Sequence, residues 1–183
     1  MKRRRARLGR MTLILGVLIP LSLIALGRRG SGDDESPAPV RAVIELRSGQ
    51  WYAVDALPLT PVDVERVADG DTLQVLALST SLRVRAFGFD APENGERCAV
   101  AATERLTALT RDGVRLLADE RLRDGFGREL RYLFTPSGLS IDATMVGEGL
   151  AEAWRADGAL RDTLVAIEDE ARSARRGCLW SDG

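Results

Sequence analysis

The sequence predicts an α+β fold, a small β-barrel with helices packed against it. Three observations predict it. Apolar residues alternate in short runs early in the globular part, the first two separated by Asp69-Gly70. A proline corner, Asp90-Ala91-Pro92-Glu93, stops the third run. Apolar residues at helical spacing come between and after these runs rather than before them.

Each element follows from local pattern. Pro61 to Ala68 alternates and reads as a strand, Asp69-Gly70 is a tight-turn signal, and Thr72 to Leu78 resumes as a strand. Ser81 to Phe89 is a third strand. Glu96 to Thr110 places Val100, Ala101, Leu106 and Leu109 on a helix. Val114 to Ala118 and Arg128 to Phe134 are strands flanking a polar loop with Asp124-Gly125-Phe126-Gly127. Ile141 to Ala153 and Leu160 to Arg175 read as helices, the second amphipathic through Leu160, Leu164, Ile167 and Ala171.

Composition excludes several chemistries. The 183 residues contain no His and two Cys. Ser-His-Asp and Cys-His catalysis, imidazole metal ligation and a Cys₄ zinc site are therefore ruled out. Catalysis has carboxylates, arginines and a hard metal ion to draw on. The net charge of −1 hides an asymmetry: eight basic residues and no acid lie in residues 1–29. Residues 30–183 keep 18 basic against 27 acidic groups, a net charge of −9. Any contact with nucleic acid must then be local, because the long-range field is negative.

Three segments follow from the charge and hydropathy pattern. Residues 1–29 place six basic residues before the apolar stretch 11–27, as a cleaved signal or a membrane anchor does. Both alternatives predict an extracytoplasmic protein, secreted or tethered to the membrane through residues 11–27. Residues 30–60 begin as a Gly/Ser/Pro/acid linker and continue, from Arg41 to Leu57, with an apolar-alternating stretch around Trp51-Tyr52 that suits a hairpin or a helix. Residues 61–183 form the globular domain, read as a monomer.

Three polar clusters carry candidate chemistry. Asp69-Gly70-Asp71-Thr72 is a hairpin turn with a second carboxylate, Asp71, entering the next strand. Arg85 through Asp90-Ala91-Pro92-Glu93 can direct two carboxylates and a backbone carbonyl into one space, the all-oxygen set that Ca²⁺ takes. Asp124-Gly125-Phe126-Gly127-Arg128 is a turn followed by an arginine. Arg85 and Arg128 on different strands can grip one phosphate.

In this order, with Val146-Gly147-Glu148-Gly149-Leu150-Ala151 and Arg175-Arg176-Gly177-Cys178-Leu179-Trp180, the clusters resemble the thermonuclease (staphylococcal-nuclease-like) family. The resemblance runs from about Val64 to Trp180. It implies an OB-fold, a five-stranded barrel with three helices, and a Ca²⁺-dependent nuclease acting on DNA and RNA. It implies that Asp71, Asp90 and the carbonyl of Ala91 bind the metal, with Asp69 behind them. Glu93 would be the general base, and Arg85 and Arg128 would hold the phosphate. The products would carry a 3′-phosphate and a free 5′-hydroxyl. Thr72 and Trp154 are weaker substrate-binding candidates.

The departures from the pattern are the acidic domain, Ala101-Ala102 where a Glu-Ala pair is usual, and Phe126 in place of a tyrosine. Cys98 and Cys178 either form a disulfide, favoured by an oxidising compartment, or remain two buried thiols. Two readings compete with the enzyme. One is a catalytically silent OB-fold module binding nucleic acid or a protein partner, and the other is a membrane-tethered structural domain. The presence of Asp71, Arg85, Asp90, Glu93 and Arg128 together favours the enzyme.

Overall fold

The computed structural model describes residues 57–181 and two short strands before them. The apolar stretch 11–27 and the Gly/Ser/Pro/acid linker lie outside the described residues. Strand β1 (Val43–Glu45) pairs antiparallel with β2 (Trp51–Ala53), Val43 opposite Ala53. Of the two forms the sequence allowed for residues 41–57, this is the hairpin.

Five strands close the barrel in the order β3-β4-β5-β8-β7. They are β3 (Thr60–Val67), β4 (Thr72–Ala77), β5 (Thr80–Ala86), β7 (Val114–Arg123) and β8 (Glu129–Phe134). Neighbours are antiparallel except β5 and β8, which run parallel with Arg85 opposite Leu130. The two-residue period turns Leu73 and Val75 of β4 inward with Val84 of β5, and all three are fully buried. Strand β8 is buried on nearly its whole length because the barrel covers one face and helices the other.

Helix α1 (Ala99–Leu109) buries Ala99, Ala102 and Leu106, one face of a 3.6-residue period. Helix α2 (Ile141–Gly147) starts at Ser140, whose hydroxyl accepts the Ala143 N–H at 3.1 Å. Helix α3 (Arg161–Ser173) packs on α2 and buries Leu164 and Ala171, and a short turn α4 (Gly177–Trp180) follows. The sequence pattern and the structure agree on this five-stranded α+β barrel.

Three boundaries differ from expectation. The third strand ends at Ala86; Phe89–Asp90 forms a separate strand, β6, paired with β9 (Glu152–Ala153). The expected helix 141–153 stops at Gly147 for a related reason. Gly149 adopts φ +68°, its carbonyl accepts the Leu179 N–H, and the chain then turns out to reach β6. Strand β7 runs five residues beyond Ala118 because the polar stretch to Arg123 pairs back onto β8 as an extended hairpin.

Candidate active site

The site forms where the β3–β4 turn, the end of β5, strand β6 and the β7–β8 hairpin meet. The turn closes with the Ala68 N–H on the Thr72 carbonyl at 2.8 Å, a wider loop than the two-residue turn expected from Asp69-Gly70. Asp69 Oδ1 accepts the Asp71 N–H at 3.1 Å and so shapes the loop from behind. Gly70 is required by crowding. A Cβ there would stand 2.6 Å from that of Ala91 and 3.0 Å from that of Ala102. This close approach presses the Asp71 turn against the Asp90–Ala91 corner.

Asp71 is the electrostatic centre. It is buried, accepts the Thr72 hydroxyl at 2.9 Å and the Ala91 N–H at 3.2 Å, and faces the Arg85 guanidinium at 3.2 Å. Burial raises its pKa to about 6, although Arg85 and the Ala91 N–H pull the other way. Arg85 donates from Nη1 to the carbonyls of Ala86 and Phe89, both at 2.9 Å, and from Nη2 to Asp90. One buried arginine thus ties Asp71, Asp90 and the end of β5 together.

Arg128 arrives from the hairpin. Its Nε bonds Asp124 Oδ2 at 2.6 Å and its Nη1 donates to the Thr72 hydroxyl at 3.2 Å. Thr72 therefore links Asp71 to Arg128. Asp124 also accepts the N–H groups of Phe126 and Arg128. Burial opposes its ionisation, but these bonds prevail and hold its carboxyl below the ordinary value. Arg85, Asp90, Glu93, Arg128 and Trp154 all line one cleft of about 270 Å³. Glu93 is exposed on the loop before α1, its N–H bonded to Glu96 at 2.8 Å.

Asp90, with its side chain 57% exposed, and Asp71 offer carboxylate oxygens beside the Ala91 corner. Among the described residues no three acidic or sulfur side chains converge as a ready cage. The donor set is nevertheless the kind a hard cation takes, with water completing the shell. Burial outweighs the pull of Arg85 at Asp71, and a cation beside it would favour the ionised carboxylate. These residues fit such a cation.

Four further residues shape the site, and sequence reasoning gave them no functional part. Asp124 anchors Arg128, and Arg121 and Asp157 form a bidentate pair at the cleft wall. Asp142, fully buried, accepts the Gly88 N–H at 2.9 Å and the Leu133 N–H at 2.7 Å, and so fixes the chain two residues before Asp90. Their partners lie 4, 36 and 54 residues away, and only the Asp124 turn has a local signature. Cys98 and Cys178 are bonded to each other, joining the end of the Glu93 loop to α4.

The two buried carboxylates set a pH dependence. Burial pushes Asp142 up to about 7, against its bonds from the Leu133 and Gly88 N–H groups. Asp71 stands at about 6, and both start from 3.8. A raised folded-state pKa means the native protein holds a proton that the unfolded chain has released. Stability from these groups is thus full below 3.8 and declines as pH rises through 6 and 7. The urea midpoint of the metal-free protein should fall from pH 4.5 to 7.5, and Asp142→Asn should flatten the upper part of that fall. A midpoint that climbs across this window would contradict the assignment.

A closed barrel whose rim gathers three arginines and three carboxylates in one cleft has the makings of a site for an anionic substrate. Residues 83–182 match the family described as Staphylococcal nuclease homologue. The chain is 38% identical over 130 residues to Micrococcal nuclease of Shigella flexneri, covering 66% of this chain and 73% of that protein. It is 34% identical over 154 residues to Protein ParB of Escherichia coli, covering 79% and 82%. An uncharacterized endonuclease of Escherichia coli O157:H7 is 33% identical over 122 residues, covering 65% and 76%. The chain belongs to the staphylococcal nuclease homologue family and is a thermonuclease-like nuclease.

Proposed function

We propose that the protein is a Ca²⁺-dependent nuclease that hydrolyses phosphodiester bonds of DNA or RNA outside the cytoplasm, exported or anchored through residues 11–27. The observation that carries this reading is the convergence of Arg85, Arg128, Asp90 and Glu93 on one cleft, with Asp71 bonded behind Arg85.

Asp71, Asp90 and the Ala91 carbonyl are the groups that would hold Ca²⁺, with Asp69 steadying Asp71 through its N–H. When bound, the ion supplies positive charge beside the phosphate and orients water. Arg85 and Arg128 donate to the phosphate oxygens and stabilise the charge that accumulates in the five-coordinate transition state. Their carboxylate partners hold both guanidinium groups in place before substrate arrives, so little reorganisation is needed. Glu93 takes the proton of the attacking water. Trp154 lines the cleft beside Arg85, and Thr72, buried behind it, acts by positioning Arg128.

A carboxylate is a weak base for water, so turnover should increase from pH 7 toward 10 as hydroxide becomes available. In the staphylococcal-nuclease-like family the P–O5′ bond breaks, which would leave a 3′-phosphate and a 5′-hydroxyl. Fragments from a single-stranded oligonucleotide should therefore accept a phosphate from polynucleotide kinase without prior dephosphorylation. Fragments ending in 5′-phosphate, or an acid pH optimum, would contradict the mechanism.

A further inference from the structure

Arg121 lines the same cleft from β7, and none of the hydrolytic roles above uses it. Its Nε and Nη2 bond the two oxygens of Asp157 at 2.7 and 2.9 Å. Asp157 Oδ1 also accepts the indole N–H of Trp154 at 2.7 Å. The guanidinium carbon lies 4.8 Å from the Phe87 ring centroid and 5.8 Å from that of Trp154. One edge of the fork is thus clamped by a carboxylate, and two aromatic rings fix its position. The other edge, Nη1 with the outer N–H of Nη2, meets no acceptor among the described residues, and the side chain is 38% exposed.

Two considerations decide what this edge recognises. The charge of Arg121 is already matched by a bidentate carboxylate, with Asp124 and Asp119 adding to the negative surroundings. Arg85 and Arg128 are paired in the same way, so what sets Arg121 apart is the two-donor edge its clamp leaves open, which a neutral pair of adjacent acceptors can take. The second consideration is position. The Arg85 guanidinium carbon stands 6.0 Å from the Trp154 ring centroid, and Arg121 stands beside the same ring. Arg85 and Arg121 thus share one aromatic neighbour, which places Arg121 close to the arginine assigned to the phosphate.

We propose that Arg121, held by Asp157 against Phe87 and Trp154, is a base-specificity residue that selects guanine next to the scissile phosphate; this rests on the cleft being the substrate site. Guanine presents two adjacent acceptors, O6 and N7, which match a two-donor fork. Adenine offers N7 beside an amino donor that opposes the fork, and thymine offers O4 alone. A free single strand exposes this edge without the constraint of a groove.

The test uses three single-stranded oligonucleotides that differ at one internal base: guanine, adenine or 7-deazaguanine, which keeps O6 and lacks N7. Cleavage is resolved bond by bond in the presence of Ca²⁺. The wild-type protein should cut beside guanine roughly 5- to 150-fold faster than beside adenine, the range a bidentate arginine–guanine contact gives. The 7-deazaguanine strand should lose most of that advantage. Arg121→Met and Arg121→Lys, which lack the fork, should bring the guanine-to-adenine ratio close to one. Equal wild-type rates beside guanine and adenine would overturn the proposal, as would a preference that survives in both variants. If no strand is cut, the hydrolytic reading itself fails. Anisotropy with the same strands then decides the base preference: tighter binding of the guanine strand supports it, and equal binding overturns it.

Discussion

Arg85→Ala is expected to lower kcat/KM on a single-stranded oligonucleotide by at least roughly 10²–10³-fold, the loss seen when one preorganised donor to a developing anionic charge is removed. The same change should cost about 3–5 kcal/mol of stability, because it strands the buried Asp71 carboxylate and unties Asp90 and the Phe89 carbonyl. Arg85→Lys tests the geometry. An ammonium cannot reproduce a fork bonded at once to two carbonyls and two carboxylates, so most of the kinetic loss should remain. Rates on the oligonucleotide and urea midpoints separate the two effects. A shift below about 0.5 kcal/mol with unchanged rates is what an ordinary surface arginine would give, and it would remove Arg85 from the site.

The second large effect concerns the disulfide. Cys98 and Cys178 are separated by 80 residues, and closing a loop of that length stabilises a fold by about 4–5 kcal/mol in the chain-entropy model. The enclosed chain holds Arg128, Asp142 and helices α1 to α3. Cys98→Ala with Cys178→Ala should lower the unfolding free energy from urea titration by an amount within the roughly 2–5 kcal/mol range typical of native disulfides. Arg97 reinforces the bridge by donating to the carbonyls of Cys178 and Ser181 at 2.9 and 3.0 Å. A double variant as stable as the wild type would show that these contacts, rather than the covalent bond, hold α4 to the Glu93 loop.

The barrel was legible in the sequence because a half-buried strand writes its period directly into residue order, as in Leu73, Val75 and Val84. What the pattern could not convey was set by tertiary hydrogen bonds. Phe87 and Gly88 continue the alternation of β5, yet the strand breaks there, and Asp142 receives the Gly88 N–H from across the fold. The run from Ile141 reads as one helix, although Gly147 and Gly149 within it mark the stop that the structure uses.

The candidate site divides in the same way. Asp71, Arg85, Asp90 and Ala91 were identified from motifs, and the structure places them in direct contact. Arg128 joins them only through Thr72, a link that no spacing rule suggests because 56 residues separate the two. Asp124 passes for an ordinary turn residue until its bidentate hold on Arg128 is seen. The Arg121–Asp157 pair and its indole partner have no sequence signature at all, since charged residues at such separations are everywhere in a chain that is 29% charged.

Glu93 and an oxygen-held Ca²⁺ are proposed to act together at the arginine cleft. The most direct measurement compares the wild-type protein with Glu93→Gln on a quenched single-stranded oligonucleotide, each with Ca²⁺ and with a Ca²⁺ chelator. The wild type should cleave in Ca²⁺ alone, with cleavage abolished by the chelator and reduced by several orders of magnitude in the variant. Cleavage that persists in chelator, or a folded Glu93→Gln protein that turns over at the wild-type rate, would contradict it.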